Sequence, residues 1–274
     1  MTALTDDYVL GTHDAEVARL GLQHRLWRAR ALDAWRRAGF TAGQTLLDVG
    51  CGPGYASLDL AEIAGPRGRV IAFDRSARFL DALRSAAVRN ALPNIATRQV
   101  DLDGDDLGVS GADGAWARWV FAFLSKPRDL VARVAAALRP GGAFVIYEYF
   151  DYRTWSFMQQ SSVFEEFVDA VIRSWRASGG EPDIGRALPD WLEEAGFRVV
   201  SLRPFIDVLT PADDLWQWPK AFVDVGAQRL VDLGALSAER AAAIGAEFAA
   251  RESGSAARMV IPAVLEIVAV RTSP

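Results

Sequence analysis

Apolar positions recur with two alternating periods along the central part of the chain. Short apolar runs, each with the length of one buried strand, occupy 44–49, 69–74, 95–100, 115–120 and 143–149. Segments with helical spacing of apolar residues lie between them, at 54–64, 76–90 and 127–138, and Pro140-Gly141-Gly142 is predicted to form a turn. Because strands that alternate with helices form parallel sheets covered on both faces, the pattern predicts an open α/β sheet.

Helical segments flank this core on both sides. Before it, the spacing predicts helices at 13–20 and 22–38. After it, the order is a long helix at 155–178, a short helix from Pro189 to 195, a strand at 197–207, helices at 212–233 and 237–252, and a closing strand at 259–270. We interpret the chain as four parts: a helical lid over 1–40, the sheet core over 41–207, an inserted helical cap over 208–256 and the final strand of the core over 257–274. For residues 208–256, the alternative to a cap is a set of helices packed beneath the sheet.

Composition and charge narrow the class of protein. The 274 residues are 51% apolar, and the single cysteine rules out a disulfide framework. With 35 acidic and 30 basic residues the net charge is −5, which disfavours a nucleic-acid partner. The chain opens without a signal-peptide pattern and has no uncharged apolar stretch of about 18 residues, so we expect a cytoplasmic chain that does not enter a membrane. The two histidines lack metal-ligand spacing, so no metal is expected, and homodimer formation stays open.

The most informative stretch runs from Asp48 to Gly54, DVGCGPG, between a predicted strand and a predicted helix. Glycines allow the backbone to turn sharply and approach a ligand, and the helix N-terminus offers free N–H groups. The dinucleotide fingerprint has the spacing G-x-G-x-x-G, whereas here the spacing is G-x-G-x-G with an acid two residues before the first glycine. An acid at that place repels a pyrophosphate and suits a cationic ligand such as S-adenosylmethionine, which has a sulfonium and an ammonium group.

Two further acids end neighbouring predicted strands. Asp74 ends the second strand, where a carboxylate can accept hydrogen bonds from both ribose hydroxyls. Asp101 ends the third strand, where it can accept a hydrogen bond from an adenine amino group. Because the carboxyl ends of parallel strands meet at one sheet edge, the sequence predicts that Asp48, Asp74 and Asp101 face one ligand.

These motifs, with LRPGGAF before the fifth strand, resemble the class I S-adenosylmethionine-dependent methyltransferases of the bacterial small-molecule type over residues 44 to about 150. The resemblance implies a Rossmann-like seven-stranded sheet whose last strand, 259–270, is antiparallel, with S-adenosylmethionine as cofactor. It implies that the methionine and sulfonium end of the cofactor contacts Asp48, Gly50, Cys51, Gly52 and the backbone of Arg118. It implies that the ribose contacts Asp74. The adenine is expected to contact Arg75, Phe79, Asp101 and Leu102. The opening motif around Tyr8 resembles a pattern of microbial natural-product methyltransferases in which this tyrosine reaches the carboxylate end of the cofactor.

Methyl transfer from a sulfonium needs alignment above all, and a base only if the acceptor must lose a proton. Glu148, at the end of the fifth strand, is a candidate to orient or deprotonate the acceptor, with a hydrogen bond to a backbone group or an arginine as the alternative. Tyr149 and, in the lid, His24 are further candidates. The sequence also predicts an aromatic pocket for the acceptor, formed by Trp119, Phe123, Tyr149, Trp155, Trp216 and Trp218. The alternative is that these rings pack in the core.

The sequence therefore predicts methyl transfer to an oxygen, nitrogen or carbon of a small molecule. The N-P-P-[YF] signature of many adenine- and glutamine-directed enzymes is absent after the fourth strand, where Arg118-Trp119-Val120-Phe121 stands. One alternative is a non-catalytic S-adenosylmethionine-binding regulatory protein. A nicotinamide-dependent oxidoreductase is a second alternative, which the glycine spacing and Asp48 disfavour.

Overall fold

The structure, a computed structural model, describes residues 14–254 and 256–272. Its strands, in chain order, are β1 (Thr45–Val49), β2 (Arg69–Asp74), β3 (Ile95–Gln99), β4 (Ala112–Arg118), β5 (Leu138–Asp151), β6 (Ser156–Phe157), β7 (Phe197–Phe205), β8 (Val208–Leu209), β9 (Met259–Val260) and β10 (Ala263–Arg271). Seven of them form one sheet in the order β3-β2-β1-β4-β5-β10-β7. The first five pair in parallel, and β10 runs antiparallel to both β5 and β7, as predicted. The remaining three, β6, β9 and β8, form a small antiparallel sheet.

Helices cover the main sheet on both faces. They are α1 (Asp14–Arg37), α2 (Tyr55–Ala64), α3 (Ala77–Arg89), α4 (Pro127–Ala137), α5 (Ser162–Ala177), α6 (Leu188–Glu194), α7 (Gln217–Asp232) and α8 (Ala238–Glu252). Successive residues of a strand point to opposite faces, and in β1 both Leu46 and Leu47 are fully buried. A central strand buried on both faces is typical of a doubly covered α/β sheet. No helix in the described part of the chain has the length and apolar character needed to cross a bilayer.

Two predicted boundaries of helices are wrong. The helices expected at 13–20 and 22–38 are a single helix, α1, which continues through Gly21. That glycine lies against the ring of Tyr55, where an added Cβ would stand 2.9 Å from the ring, so its place is set by packing. The helix expected at 155–178 begins only at Ser162, because the Ser161 hydroxyl accepts a hydrogen bond from the N–H of Phe164 and caps it.

Two predicted strand boundaries also change. Pro140, Gly141 and Gly142 lie inside β5, where the register against β4 shifts, rather than in a free turn. The closing strand expected at 259–270 is interrupted at Ile261 and Pro262, since proline offers no N–H for a ladder. Its first part, β9, joins the small sheet, and only β10 completes the main one.

The first helix of the predicted cap, α7, lies against α1, and α8 packs on α7 and α5. The indole of Trp218, on α7, donates a hydrogen bond to Gln23 of α1 at 3.1 Å and packs edge-on against Trp27 with 4.9 Å between ring centroids. Because α1 also packs on α2, this contact brings α7 close to the carboxyl edge of β1 and β4.

Candidate active site

A cavity of about 140 Å³ opens at the carboxyl ends of the central strands. All the predicted cofactor residues that the structure describes line it: Asp48, Gly50, Cys51, Gly52, Asp74, Arg75, Phe79, Asp101, Leu102 and Arg118. Tyr8 lies outside the described residues. The sheet topology thus brings together residues that are as far apart in the chain as β1 and β4.

The glycine loop after β1 depends on left-handed backbone that only glycine adopts without strain. Gly50 has a φ of +73° and Gly54 a φ of +86°. A Cβ on Gly50 would overlap the side chain of Val120, and one on Gly54 would overlap Leu83. The loop is therefore packed between the β4 side of the site and α3, and the N–H groups of Gly50 and Cys51 hold it to β2 by donating to the carbonyl of Phe73.

Asp74 ties the end of β2 to this loop. One carboxylate oxygen accepts a hydrogen bond from the N–H of Gly52 and the other accepts one from the N–H of Ser76, each at 2.8 Å. Burial raises the pKa of Asp74, and these backbone hydrogen bonds oppose the shift. The same carboxylate lines the cavity, so it is placed to meet a ligand as well as to hold the loop.

A buried acid and a buried base face each other at the bottom of the cavity. Asp48 accepts a 2.5 Å hydrogen bond from the Ser57 hydroxyl, and burial raises its pKa to about 7. Burial lowers the pKa of Arg118 to about 10, with attraction to Asp48 opposing the shift. The Nη1 atom of Arg118 is buried and has no hydrogen-bond partner among the described residues. Buried polar groups are rarely left unpaired, so this nitrogen is a costly feature of the site.

His24 lies behind Arg118 and does not line the cavity. Its Nδ1 accepts a hydrogen bond from Nη2 of Arg118 at 3.2 Å, so the proton is on Nε2, which donates to Asp59 at 3.0 Å. Burial lowers the pKa of His24, which keeps the ring neutral. Asp59 in turn accepts hydrogen bonds from Arg28. The arrangement makes His24 a support for Arg118 rather than the base considered from the sequence.

Glu148 is also absent from the cavity walls. Its Oε1 accepts hydrogen bonds from the N–H groups of Val120 and Phe121, at 2.6 and 2.7 Å. Its Oε2 is buried without a partner among the described residues. Burial raises the pKa of Glu148 to about 8, so the carboxyl group is largely protonated at neutral pH. The backbone role weighed as the alternative is the one that the structure supports.

A second, smaller cavity adjoins the first, and we name it the aromatic chamber. It is lined by Arg19, Gln23, Trp119, Phe123, Tyr149, Tyr152, Trp155, Trp175, Trp218, Pro219, Phe222 and Pro262. Gln23, Trp119 and Phe123 line both cavities. Of the predicted aromatic pocket, Trp216 alone is elsewhere: its indole donates to Glu252 and its ring packs on Phe248.

Several cavity residues were not predicted. Leu20 and Gln23 come from α1, Tyr55 from the start of α2, and Trp116 from β4. The aromatic chamber adds Tyr152 and Trp175. Tyr55 directly follows Gly54, so its position next to the loop was a signal in the sequence. The residues of α1 have no recognisable spacing to the loop, because helix packing brings them to the site.

Comparisons with known proteins agree with this geometry. Residues 46–142 match the family described as a methyltransferase domain. A 37.1 kDa protein of transposon Tn4556 from Streptomyces fradiae is 29% identical over 62% of this chain and 48% of that protein. The demethylmenaquinone methyltransferase of Lactococcus lactis subsp. lactis is 30% identical over 46% of this chain and 49% of that enzyme. An S-adenosylmethionine-dependent methyltransferase from Mesorhizobium loti has the same fold, with a TM-score of 0.51, 19% identity and coverage of 85% of this chain and 93% of that one.

The fold and the site thus define a Rossmann-like domain with a cavity at the carboxyl edge of its sheet. Residues 46–142 match a methyltransferase domain, and over this stretch the chain is similar to S-adenosylmethionine-dependent methyltransferases. The chain spans about half the length of the curated relatives it matches.

The two buried acids predict a pH-dependent stability. Between about pH 5 and 7 the folded chain keeps protons on Asp48 and Glu148 that the unfolded chain releases, because burial raises both pKa values. The free energy of unfolding should therefore fall as pH rises through this window, by up to about 1.4 kcal/mol per pH unit for each group. Glu148→Gln should flatten the slope by about 1 kcal/mol per pH unit, measured by urea unfolding at several pH values.

A matched control is Glu193→Gln, which changes an exposed carboxylate on α6. Its curve should run parallel to that of the unmodified protein. A Glu148→Gln curve with the unmodified slope would contradict a raised pKa at this residue.

Proposed function

We propose that the protein transfers the methyl group of S-adenosylmethionine to a small, flat, largely apolar acceptor. The observation that carries this proposal is the wall shared between the two cavities, to which Gln23, Trp119 and Phe123 contribute. A cofactor cavity that adjoins an aromatic chamber gives the methyl group a place to go, and the chamber, at about 30 Å³, must widen to hold an acceptor ring. A binding protein without catalysis needs only the first cavity.

The cofactor cavity offers a different chemistry for each end of S-adenosylmethionine. Asp74 accepts hydrogen bonds from the ribose hydroxyls, and Asp101 and Phe79 border the adenine. Asp48 attracts the ammonium and sulfonium charges, and the positive charge of Arg118, which lines the same cavity, attracts the carboxylate. The amino-acid end of the cofactor is a zwitterion, and the cavity walls offer a charge of opposite sign to its ammonium group and to its carboxylate.

The chain contributes alignment and exclusion of water. The cofactor supplies an activated methyl group when bound, so a reaction of this kind is an in-line displacement that depends on orientation. Trp119 and Phe123 line both cavities, and Tyr149 lines the acceptor side. Neither His24 nor Glu148 is a wall residue, so we assign no general base.

The walls of the aromatic chamber favour a flat, aromatic acceptor. Rings of Trp119, Tyr149 and Trp218 lie nearly parallel, with interplanar angles between 10° and 21°. These rings stack on one another, with centroids 5.2–6.3 Å apart, and together they give the chamber a flat apolar surface. The Lactococcus lactis relative is named for a quinone substrate, demethylmenaquinone, which is a flat aromatic molecule. A phenol, hydroquinone or aromatic amine fits both observations.

Turnover tests the proposed function directly. A panel of phenols, hydroquinones and aromatic amines, each paired with its saturated-ring counterpart, is incubated with S-adenosylmethionine. We expect S-adenosylhomocysteine to form with at least one aromatic member and more slowly with its saturated counterpart. If the protein binds S-adenosylhomocysteine but turns over no member of the panel, the non-catalytic alternative is favoured.

Asp74→Ala tests the ribose contact. Hydrogen bonds to a charged group contribute about 1.5–3 kcal/mol each, so affinity for S-adenosylhomocysteine should fall at least about tenfold, measured by titration calorimetry. Asp81→Ala, an exposed carboxylate on α3, is the control and should leave the affinity unchanged. An unchanged dissociation constant in Asp74→Ala would mean that Asp74 holds the N–H groups of Gly52 and Ser76 and does not bind the ribose.

Arg118→Met tests which end of the cofactor lies over Arg118. The affinity for S-adenosylhomocysteine should fall about tenfold or more, because a charged hydrogen bond to the carboxylate is lost. The affinity for 5′-methylthioadenosine, which lacks the amino-acid end, should change much less. Arg75→Met is the matched control at the other end of the cavity and should affect both ligands alike. Equal losses for both ligands in Arg118→Met would contradict the assignment.

A further inference from the structure

Trp119 has a backbone conformation that is unusual for its side chain. Its φ is +53°, and among the described residues other than glycine only Ala91 shares a positive φ. Ala91 lies at an exposed turn, whereas Trp119 is only 6% exposed. A bulky residue in the left-handed region is strained, and such strain persists only where the surroundings impose it.

The residues after Trp119 show what imposes the strain. The N–H of Trp119 donates to the carbonyl of Tyr147 and makes the last ladder bond between β4 and β5. The next two N–H groups, of Val120 and Phe121, turn away from the ladder and donate to the single oxygen Oε1 of Glu148. Because Glu148 follows Tyr147 directly on β5, the two bond sets fix the backbone on both sides of Trp119.

The position of the Trp119 ring depends on this conformation. The centroid of the Trp119 ring lies 5.2 Å from the ring centroid of Trp218 and 5.7 Å from that of Tyr149. On the cofactor side, the guanidinium carbon of Arg118 lies 5.2 Å from the Trp119 centroid. A change of φ to the ordinary negative region would redirect the Cα–Cβ bond and remove the ring from this place. The ring would then no longer separate the cofactor cavity from the aromatic chamber.

We propose that Glu148 is a positioning residue, whose carboxyl group holds Trp119 in left-handed backbone so that the indole forms the partition between the cofactor cavity and the acceptor chamber. The proposal rests on the proposed function only in naming that chamber as the acceptor side. Glu148 acts through the backbone of Val120 and Phe121 and touches neither ligand. The orientation of the Trp119 ring then sets how a flat acceptor stacks against the cofactor.

The strain at Trp119 is tested by a pair of substitutions that differ only in their tolerance of positive φ. Trp119→Gly should melt about 2–4 °C above Trp119→Ala, because alanine keeps the strain and glycine relieves it. The adjacent Val120, with a φ of −113°, is the matched control. There the order should reverse, with Val120→Ala above Val120→Gly. The same order at both positions would overturn the proposal.

The role of Glu148 is tested by fluorine NMR of protein labelled with 5-fluorotryptophan. Glu148→Leu, or the milder Glu148→Asp if leucine prevents folding, should shift the resonances of Trp119 and Trp218. The resonance of Trp191, on α6, should stay in place as the internal control. Glu148→Gln keeps an acceptor oxygen and should restore the unmodified spectrum. Unchanged Trp119 and Trp218 resonances in both Glu148→Leu and Glu148→Asp would overturn the proposal.

Turnover separates positioning from proton transfer. With an acceptor from the panel above, Glu148→Asp should raise the KM for the acceptor several-fold, and Glu148→Gln should bring it back towards the unmodified value. If Glu148 were a base, Glu148→Gln would lower kcat by about 10²–10⁴ and leave the KM for the acceptor unchanged, which would overturn the assignment. The melting and NMR results do not need turnover, so failure of the proposed function leaves this inference separately testable.

Discussion

The hydrogen bonds that Asp74 accepts from Gly52 and Ser76 join the glycine loop, the end of β2 and the start of α3 at one point. Without this junction the loop after β1 has no fixed path, because its glycines tolerate many conformations. With it, the loop packs against Val120 on one side and Leu83 on the other. The cavity for the cofactor is the space that this arrangement leaves at the edge of the sheet.

Charge balance below the cavity depends on α1. Burying Arg118 is unfavourable unless its charge is compensated. Asp48 on β1 and Asp59 on α2 attract that charge, and His24 on α1 accepts a hydrogen bond from the guanidinium. Asp59 and Arg28 continue the network to the surface. The helix therefore does more than cover the sheet, since one face of it fixes the orientation of a guanidinium group that lines the cofactor cavity.

The aromatic residues form a continuous layer between α1, β5 and α7. Trp27 contacts Trp119, Tyr147 and Trp218, and the same layer continues to the walls of the chamber. Rings in edge-to-face and stacked arrangements hold a defined geometry and bury much apolar surface. The chamber thus takes its shape from the core itself, which links the stability of the region to the fit of an acceptor.

The sequence alone determined the order of strands and helices in the core and the meeting of Asp48, Asp74 and Asp101 at one edge of the sheet. Both follow from local causes: hydrophobic period selects strand or helix, and the carboxyl ends of parallel strands meet at one edge. Tyr149 and most of the aromatic pocket were also predicted, because alternation along β5 assigns its faces. The single helix α1 and the split of the last strand were missed, since packing against Tyr55 and pairing with β6 and β8 decide them. Only the tertiary structure decided the roles of His24, Glu148 and Trp119, because hydrogen bonds between residues distant in the chain, such as Arg118 with His24, leave no periodic trace in a sequence.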